Sequence, residues 1–351
     1  MIVDLPNTTT TDVSKRLVRL RENTGSMALG RVLTLIIVAD EDCADHALEV
    51  AGQATRQHPS RIVCVIAGTK RGKTRLDAQI RLGGDAGASE MVVMRLYGQL
   101  AGHPQSVVTP FLLPDSPVVA WWPSEAPSSV AEDPIGAMAQ RRITDAATAK
   151  NPHQALVKRA ATYVGGDTDL AWGRITRWRG LLASALDQPP HEPVTAVTVV
   201  GASDSPSADL LVGWLSLTLG ASATLARTDG GSGVLGVRLE RDSGPIDLLR
   251  PEGDTATMLA PQQPARLISL AHRTDAECLA EELRRLDPDD VYGESLTRGL
   301  KKVSKATSLS AKEAADLGLT LSRDDAIRAM REAAKSIKHD HHAEMVDGAD
   351  A

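Results

Sequence analysis

The sequence predicts an α/β protein: an N-terminal, mainly parallel open sheet with flanking helices, a helical connector, and a smaller C-terminal α+β domain. In the first half, continuous β-branched runs alternate with amphipathic segments, which is typical of a parallel sheet covered on both faces. In the second half, short strand-like runs are separated by glycine and proline. The length of 351 residues also exceeds the roughly 250 residues at which a single hydrophobic core usually stops growing.

These patterns divide the chain into four segments. Residues 1–149 are predicted to form the N-terminal α/β domain, and residues 150–190 a helical connector that ends in a proline-rich linker. Residues 191–303 are predicted to form the C-terminal α+β domain. Residues 304–351 are polar and alanine-rich, which predicts a tail that is either helical or disordered.

The elements of the first half follow from hydrophobic periodicity. An apolar face at Val13, Leu17 and Leu20 predicts a helix. One later segment alternates polar and apolar residues, as a half-exposed strand does, and Pro110 is expected to interrupt or bend a short helix. In order, the predicted elements are the helix TDVSKRLVRLREN, strand RVLTLIIVAD, helix CADHALEVAGQATRQH, strands SRIVCVIAG, TRLDAQIRLG and SEMVVMRLYG, helix PQSVVTPFLL and strand SPVVAWW.

The second half begins with helical patterns and then changes character. Pro206 near the first turn and Gly220 at the C-cap bound one clear helix. The later strands are expected to form a meander, closed by a final helix. In order, the predicted elements are the helices HQALVKRAATYV and DTDLAWGRITRWRGLLASAL, strand VTAVTVVG, helix SPSADLLVGWLSLTLG, strands SATLART, GVLGVRLE, PIDLLRP, TATMLA and ARLISLAHR, and helix DAECLAEELRRL.

Composition excludes several functional classes. A net charge of −6 argues against a general nucleic-acid binder. The N-terminus has no signal-peptide core, and the apolar run VLTLIIVA is too short to span a bilayer, so we expect a cytoplasmic protein without membrane contact. Cys43, Cys64 and Cys278 have no paired spacing. The histidine cluster HDHH (339–342) could bind a metal in principle, but it lies in the polar tail and is interpreted as incidental, and the other histidines show no ligand motif. We therefore predict no catalytic residues, no metal and no cofactor.

Two glycine-rich loops suggest an alternative function as a sugar-phosphate- or nucleotide-binding protein or enzyme. AGTKRGKT (residues 67–74) nearly matches a phosphate-binding loop, with Lys73 and Thr74 as its key residues. However, Ala67 replaces the required glycine, and a strand pattern follows instead of a helix. LGGDAGASE (residues 82–90) offers backbone amides at Gly83 and Gly84 as a possible anion nest, although acidic residues lie beside them.

The stretch LLPDSPVVAWWPSEAP is unusual because the chain has only five tryptophans and places two of them side by side. Neighbouring strand residues point to opposite faces, so at most one of Trp121 and Trp122 can face a one-sided core. The other packs under a helical segment or meets a partner. Pro123 ends the strand, and Asp115 and the segment QRRITDAA (140–147) are expected to supply polar contacts nearby.

DLAWGRITRWRGLL (169–182) is the second unusual segment, because tryptophan and arginine are concentrated in it. On one helix, Trp172, Ile175 and Arg179 share a face. Large aromatics are most often core residues, but tryptophan and arginine are also enriched at binding hot spots. The candidate partner-binding residues of both segments are Asp115, Trp121, Trp122, Pro123, Arg141, Arg142, Asp145, Asp169, Trp172, Arg174, Trp178 and Arg179.

Six motifs in order carry a family resemblance over about residues 1–303. They are MIVDLPNTTTTDVSKRL, GGDAGASE, LLPDSPVVAWWP, QRRITDAA, DLAWGRITRWRGLL and LDPDDVYGESLTRGL. Together they resemble the actinobacterial glucose-6-phosphate dehydrogenase assembly protein family OpcA. The resemblance implies a non-enzymatic protein that binds this dehydrogenase of the pentose phosphate pathway and promotes its assembly or activity.

Overall fold

The computed structural model describes residues 1–24, 32–56, 59–83, 90–229, 231–250 and 253–308. The chain divides into two compact units. The first unit comprises Met1–Gly173 and Arg273–Gly293, and the second comprises Arg174–His272 and the described residues from Glu294 onward. The predicted α/β class, with a mainly parallel sheet first and an α+β unit second, is confirmed. Compact units are not the same as independently folding domains, so the predicted domain limits stay a prediction.

Helices occur in both units and are numbered along the chain. They are α1 (Thr10–Thr24), α2 (Glu41–Ala54), α3 (Pro104–Val108), α4 (Pro152–Thr162), α5 (Leu170–Arg174), α6 (Thr176–Leu186), α7 (Pro206–Leu219), α8 (Asp275–Arg284) and α9 (Asp290–Glu294). As predicted, the short helix α3 stops before Pro110, and a 3₁₀ turn at Thr109–Phe111 follows it.

A single sheet forms the centre of the first unit. Its strands are β1 (Ile2–Thr8), β2 (Leu33–Ala39), β3 (Ser60–Ala67), β4 (Arg75–Leu82), β5 (Glu90–Tyr97), β6 (Val118–Trp121), β7 (Arg141–Thr144) and β8 (Asp167–Asp169). Within the described residues their order is β1-β4-β5-β3-β2-β6-β7-β8. All neighbours from β5 to β8 pair in parallel, whereas β4 is antiparallel to both β5 and β1.

Both faces of this sheet are covered by apolar side chains, which explains the continuous β-branched runs. Trp122 belongs to the cluster on one face, together with residues of α1 and α3 such as Val13 and Val107. Trp121 belongs to the cluster on the other face, with residues of α2 and α8 such as Leu48 and Leu279. Each ring therefore has a core of its own, and no partner is needed to cover either one.

The structure adds strands that hydrophobic periodicity did not predict. β1 is an edge strand whose residues are mostly exposed or half-buried, so it carries no buried run. β7 and β8 are short and contain charged residues that are buried. The segment from residue 167, predicted as one helix, is instead β8, α5 and α6, because Ile175 leaves helical geometry between the two helices. Trp172 and Arg179 therefore do not share one continuous helical face.

The second unit also contains a sheet. Its strands are β9 (Ala196–Ala202), β10 (Ser222–Thr228), β11 (Val234–Glu240), β12 (Ile246–Leu249), β13 (Thr255–Leu259), β14 (Arg266–Ser269) and β15 (Ser304–Ser308). The order is β14-β13-β12-β11-β9-β10-β15 within the described residues. β11 to β14 form the predicted antiparallel meander, but β10 is not part of it. Because α7 crosses between them, β10 pairs in parallel with β9.

Two segments near the end of the described chain pack or fold differently from the prediction. Helix α8 starts with a capping box formed by Thr274 and Glu277. Although it follows the second sheet in sequence, α8 places Cys278, Leu279 and Leu283 in a core cluster of the first unit. The first residues of the predicted tail form β15, and residues 309–351 lie outside the described residues.

Candidate functional site

The carboxyl edge of the first sheet contains a topological switch point. β2 and β6 are neighbours, but the chain continues from β2 to β3 on one side and from β6 to β7 and β8 on the other. The loops after β2 and β6 therefore diverge, and in open α/β sheets such a divergence opens a crevice where ligands bind. The candidate site consists of the segments that follow β6, β7 and β8, together with α4.

A side-chain hydrogen bond joins the loops after β2 and β6 at the switch point. Asp40 caps α2 by accepting a hydrogen bond from the Cys43 amide at 2.9 Å. Ser124 Oγ donates to the second Asp40 oxygen at 3.0 Å. Burial raises the pKa of the Cys43 thiol. Asp40, which receives the serine proton, is a weak base because its pKa lies below its usual value, and the raised pKa keeps the Cys43 thiol protonated near neutral pH.

Asp169 organises the neighbouring loops from within. Its side chain is fully buried and accepts from the Thr144 hydroxyl at 2.7 Å, the Ala146 amide at 2.9 Å and the Ala171 amide at 2.9 Å. These donors belong to the end of β7, the turn after it and the first turn of α5. A buried carboxylate survives only when such donors satisfy it. Asp169 therefore holds the shape of this edge.

A cavity of about 330 Å³ lies beside Asp169. One wall is a face of α4, where residues three or four apart line the cavity. The other walls are the segments that follow β6 and β7. The lining residues are Ser124, Glu125, Ala126, Thr144, Asp145, Ala146, Ala149, Lys150, Asn151, Gln154, Ala155, Lys158, Arg159 and Asp169.

The acidic groups of the cavity are engaged by the protein itself. Glu125 accepts from the Lys150 amide at 2.9 Å, and Asp145 accepts from the Ala147 amide at 3.1 Å as the cap of a short 3₁₀ turn. By contrast, no described carboxylate lies within salt-bridge distance of the Lys150 or Lys158 ammonium group. The lining thus carries three carboxylates and three cations, and among the described residues it is the two lysines that have no oppositely charged partner.

Arg159 is the buried cation of the wall, with 8% of its surface exposed. Its Nη2 group donates to the main-chain oxygens of Pro127 and Ser128, which anchors the loop after β6 on α4. Its Nη1 group is buried without a hydrogen-bond partner among the described residues. Burial lowers the pKa of Arg159, against the opposing effect of the Asp169 charge.

The predicted residues at the end of β6 are buried: Trp121, Trp122 and Pro123 all lie inside the first unit. Trp122 donates its amide to the Ile143 oxygen at 3.0 Å, and the Thr148 hydroxyl donates to the Pro123 oxygen at 2.9 Å. Asp115, expected nearby, lies before β6, at the opposite edge of the sheet, because the strand separates the two ends. It is exposed, with a positive φ of 55°.

The predicted pair Arg141 and Arg142 is buried in β7 and takes part in ion pairs. Arg141 pairs with Glu282 of α8. Burial raises the pKa of the Glu282 carboxyl, and Arg141 offsets only part of this increase. Arg142 pairs with Asp167 of β8 and donates to the Ala139 and Gly165 oxygens at 2.8 and 2.7 Å. Both guanidinium groups bind other parts of the same unit, so their observed role is internal.

The predicted tryptophan and arginine segment is divided between the two units. In the first unit, Trp172 donates its indole N–H to Asp289 at 2.9 Å and packs on Tyr292 at 5.8 Å between ring centroids. In the second unit, Trp178 is buried, with the Arg250 guanidinium 5.3 Å from its ring centroid. Arg174 and Arg179 are half-buried there, and Arg179 donates to the Thr176 hydroxyl at 3.1 Å.

The described residues of the alternative phosphate site come from both ends of β4. Lys73 and Thr74 are exposed just before β4, and Gly83 follows its last residue. Eight strand residues at about 3.3 Å each make β4 about 26 Å long, so Thr74 and Gly83 lie at opposite edges of the sheet. Gly84 lies outside the described residues. Glu90, expected to repel an anion, is buried and paired with Arg21 and Arg61.

No group of three or more histidine, cysteine or acidic side chains within the described ranges is arranged to hold a metal ion. The histidine cluster at residues 339–342 lies outside those ranges. None of the three cysteines is in a disulfide, and burial raises the pKa of Cys64 to about 12. Of the helices that the structure describes, none is both long and apolar enough to cross a membrane.

Sequence reasoning missed the cavity wall formed by α4. Lys150, Asn151, Gln154, Lys158 and Arg159 are ordinary surface residue types in a segment predicted only as a connector helix. Their spacing of three to four residues does mark one helical face. Only the pairing of β7 and β8, which the sequence did not predict, brings that face to the carboxyl edge.

Comparison with solved structures gives weak fold similarity. A 3-ketoreductase, KijD10, from Actinomadura kijaniata in complex with NADP has 9% identity and a TM-score of 0.40, covering 79% of this chain and 99% of the other. A myo-inositol 2-dehydrogenase from Lactobacillus plantarum has 7% identity and a TM-score of 0.36, covering 85% and 98% of the two chains. No curated protein matches the chain.

Comparison with protein-family models is specific. Residues 51–161 match the model described as the glucose-6-phosphate dehydrogenase subunit N-terminal domain, and residues 165–296 match the model for the C-terminal domain of the same subunit. The two matches follow each other in the expected order and together span most of the chain. The chain therefore belongs to the OpcA family of glucose-6-phosphate dehydrogenase subunit and assembly proteins.

Proposed function

We propose that this protein binds glucose-6-phosphate dehydrogenase and raises its activity without catalysing a reaction of its own. The observation that carries the proposal is the ordered pair of family domains, each described as part of a glucose-6-phosphate dehydrogenase subunit. Five of the six motifs of the sequence resemblance overlap these two matches, and all six support the same partner.

The carboxyl edge of the first sheet agrees with a non-catalytic role. Ser124 donates its proton to the helix cap Asp40, and the Cys43 thiol has a raised pKa. Asp169 uses its carboxylate to hold two loops. Because these groups are committed to structure, they do not supply the nucleophile and base pair that covalent catalysis requires.

Activation then follows from linkage. A protein that binds one conformation or assembly state of the dehydrogenase more tightly than another shifts the population toward that state. The shift cannot exceed the difference between the two binding free energies. A coupling of about 1–3 kcal/mol corresponds to roughly a 5- to 150-fold change in affinity or active fraction.

The accessible members of the predicted set are the proposed contacts. Asp115 is exposed, and Arg174 and Arg179 are half-buried. Trp172 and Trp178 act indirectly, because these buried side chains lie next to Arg174 and Arg179 in the chain. Asp115 and Arg179 lie in different units, so each is tested separately.

The experiment mixes the purified protein with its dehydrogenase at micromolar concentration and measures co-elution and the dehydrogenase rate. We expect a complex and a higher rate. Asp115→Ala and Arg179→Ala should each weaken activation with unchanged melting, whereas Arg16→Ala, an exposed position on α1, serves as the control. Absence of both a complex and a rate change contradicts the proposed function. Activation that survives both substitutions contradicts only the proposed contacts.

A further inference from the structure

The cavity between α4 and the ends of β6, β7 and β8 combines features of a ligand site. It lies at the carboxyl edge of a parallel sheet, beside the switch point, where ligands of this fold class bind. Its volume of about 330 Å³ is at the lower end for small-molecule sites. The space therefore suits one small metabolite.

The cations of the wall indicate the charge of that ligand. Lys150 and Lys158 have no described carboxylate partner, and the buried Nη1 group of Arg159 has no hydrogen-bond acceptor within the described part of the chain. The three carboxylates of the wall, by contrast, accept hydrogen bonds from main-chain amides. A buried donor without an acceptor is unfavourable, and an anionic oxygen in the cavity would supply one. The wall carries three cations and three carboxylates. An anionic group on the ligand is the one that would engage the cations that have no described carboxylate partner.

The remaining lining residues indicate what else the ligand carries. The side-chain amide groups of Asn151, the N-cap of α4, and of Gln154 within α4 can donate to hydroxyls, while the Asn151 oxygen accepts the cap hydrogen bond from the Gln154 amide. The apolar part of the described lining consists of alanines, without an aromatic ring on which a nucleobase could stack. This composition fits a compact, hydroxyl-rich molecule better than a nucleotide.

We propose that this cavity binds a small phosphorylated polyhydroxy compound, with Lys158 and Arg159 at the phosphate and Asn151 and Gln154 at the hydroxyls. Arg159 also links the cavity to the loop after β6, because its guanidinium group donates to the Pro127 and Ser128 oxygens of that loop. An anion that engages Arg159 would stabilise this loop in its present position. The proposal concerns the protein alone and does not depend on the dehydrogenase.

The test is calorimetric titration of the full chain with four probes: a hexose 6-phosphate, the same hexose without phosphate, inorganic phosphate, and adenosine monophosphate. We expect the hexose phosphate to bind at least 10-fold more tightly than the other three, since one charge-assisted hydrogen bond accounts for about that factor. Binding that is equal for the hexose and its phosphate overturns the proposal. So does tighter binding of inorganic phosphate or of the nucleotide, and so does the absence of binding by all four.

Variants place the binding in this cavity. Lys158→Gln removes an exposed cation of the wall and should weaken hexose phosphate binding about 10-fold. Lys15→Gln, at an exposed position on α1, changes the net charge equally and should have no effect. Arg159→Lys should also weaken binding; because Arg159 is buried, its melting temperature is measured alongside. Equal affinities of the Lys158→Gln and Lys15→Gln proteins would overturn the assignment to this cavity.

Discussion

The Trp121–Pro123 segment and the cavity face of α4 both belong to the carboxyl edge of the first sheet, but they differ in what the sequence reveals. The tryptophans are rare residues in this chain and attract attention at once, yet both rings are buried in core clusters on opposite faces. The α4 face consists of common polar residues, yet it lines the cavity. Unusual composition here marks packing, and ordinary composition marks the candidate site.

The physical reason lies in how each kind of residue works. A tryptophan contributes to stability through the large apolar area that it buries, and this area is known from the residue type alone. A lysine or asparagine becomes part of a site only through the position of its neighbours. Three substitutions test this contrast between the packing region and the cavity region.

The largest effect is expected for Trp122→Ala. The ring is almost fully buried in the cluster with α1 and α3, so its removal should leave a cavity and cost about 3–5 kcal/mol of unfolding free energy. Denaturant unfolding measures the loss. Val157→Ala, on an exposed position of α4, should change stability by no more than about 0.5 kcal/mol. A Trp122→Ala protein of nearly unchanged stability would contradict the conclusion that this tryptophan serves packing.

An intermediate effect is expected for Asp169→Asn. The amide group would face main-chain N–H donors, so at least one buried hydrogen bond is lost, at a cost of about 2 kcal/mol. Hydrogen exchange should accelerate at the Ala146 and Ala171 amides, which donate to Asp169. Asp187→Asn, exposed at the end of α6, is the control. If exchange at these two amides is unchanged, Asp169 does not hold the cavity edge.

The smallest effect concerns Asp40 and pH. Burial acts to raise the pKa of Asp40, but hydrogen bonds from Cys43 and Ser124 lower it below 3.8 overall. A carboxyl with a lowered folded-state pKa contributes stability above its unfolded value, and that contribution is lost as the pH falls through the folded pKa. Asp40→Asn should therefore flatten the stability profile below about pH 4.

Melting curves between pH 2 and 7 measure that effect. Asp45→Asn, an exposed position on α2, provides a matched control for the loss of one carboxyl. If the acid limb of the Asp40→Asn profile has the same slope as that of the unmodified protein, the cap at the switch point contributes nothing to acid stability.

Much of the fold was predictable because hydrophobic patterns report burial directly. The continuous runs of β2, β3, β5 and β6 predicted the parallel sheet, and the alternation of β4 predicted a half-exposed strand. β7 and β8 were not predictable from these patterns. Their buried residues include Arg142, Asp167 and Asp169, whose burial is possible only because each finds a partner in a neighbouring strand or loop.

The sequence by itself determined the α/β class, the two-faced burial of the first sheet and, through its motifs, the protein family. Hydrophobic periodicity and composition are properties of short stretches of sequence, so they can be recognised without the tertiary structure. Only the tertiary structure decided that Asp115 and Trp122 lie at opposite edges, that Thr74 and Gly83 lie at opposite ends of β4, and that α4 lines a cavity. Those facts depend on strand order and pairing, and strand order joins residues that are distant along the chain.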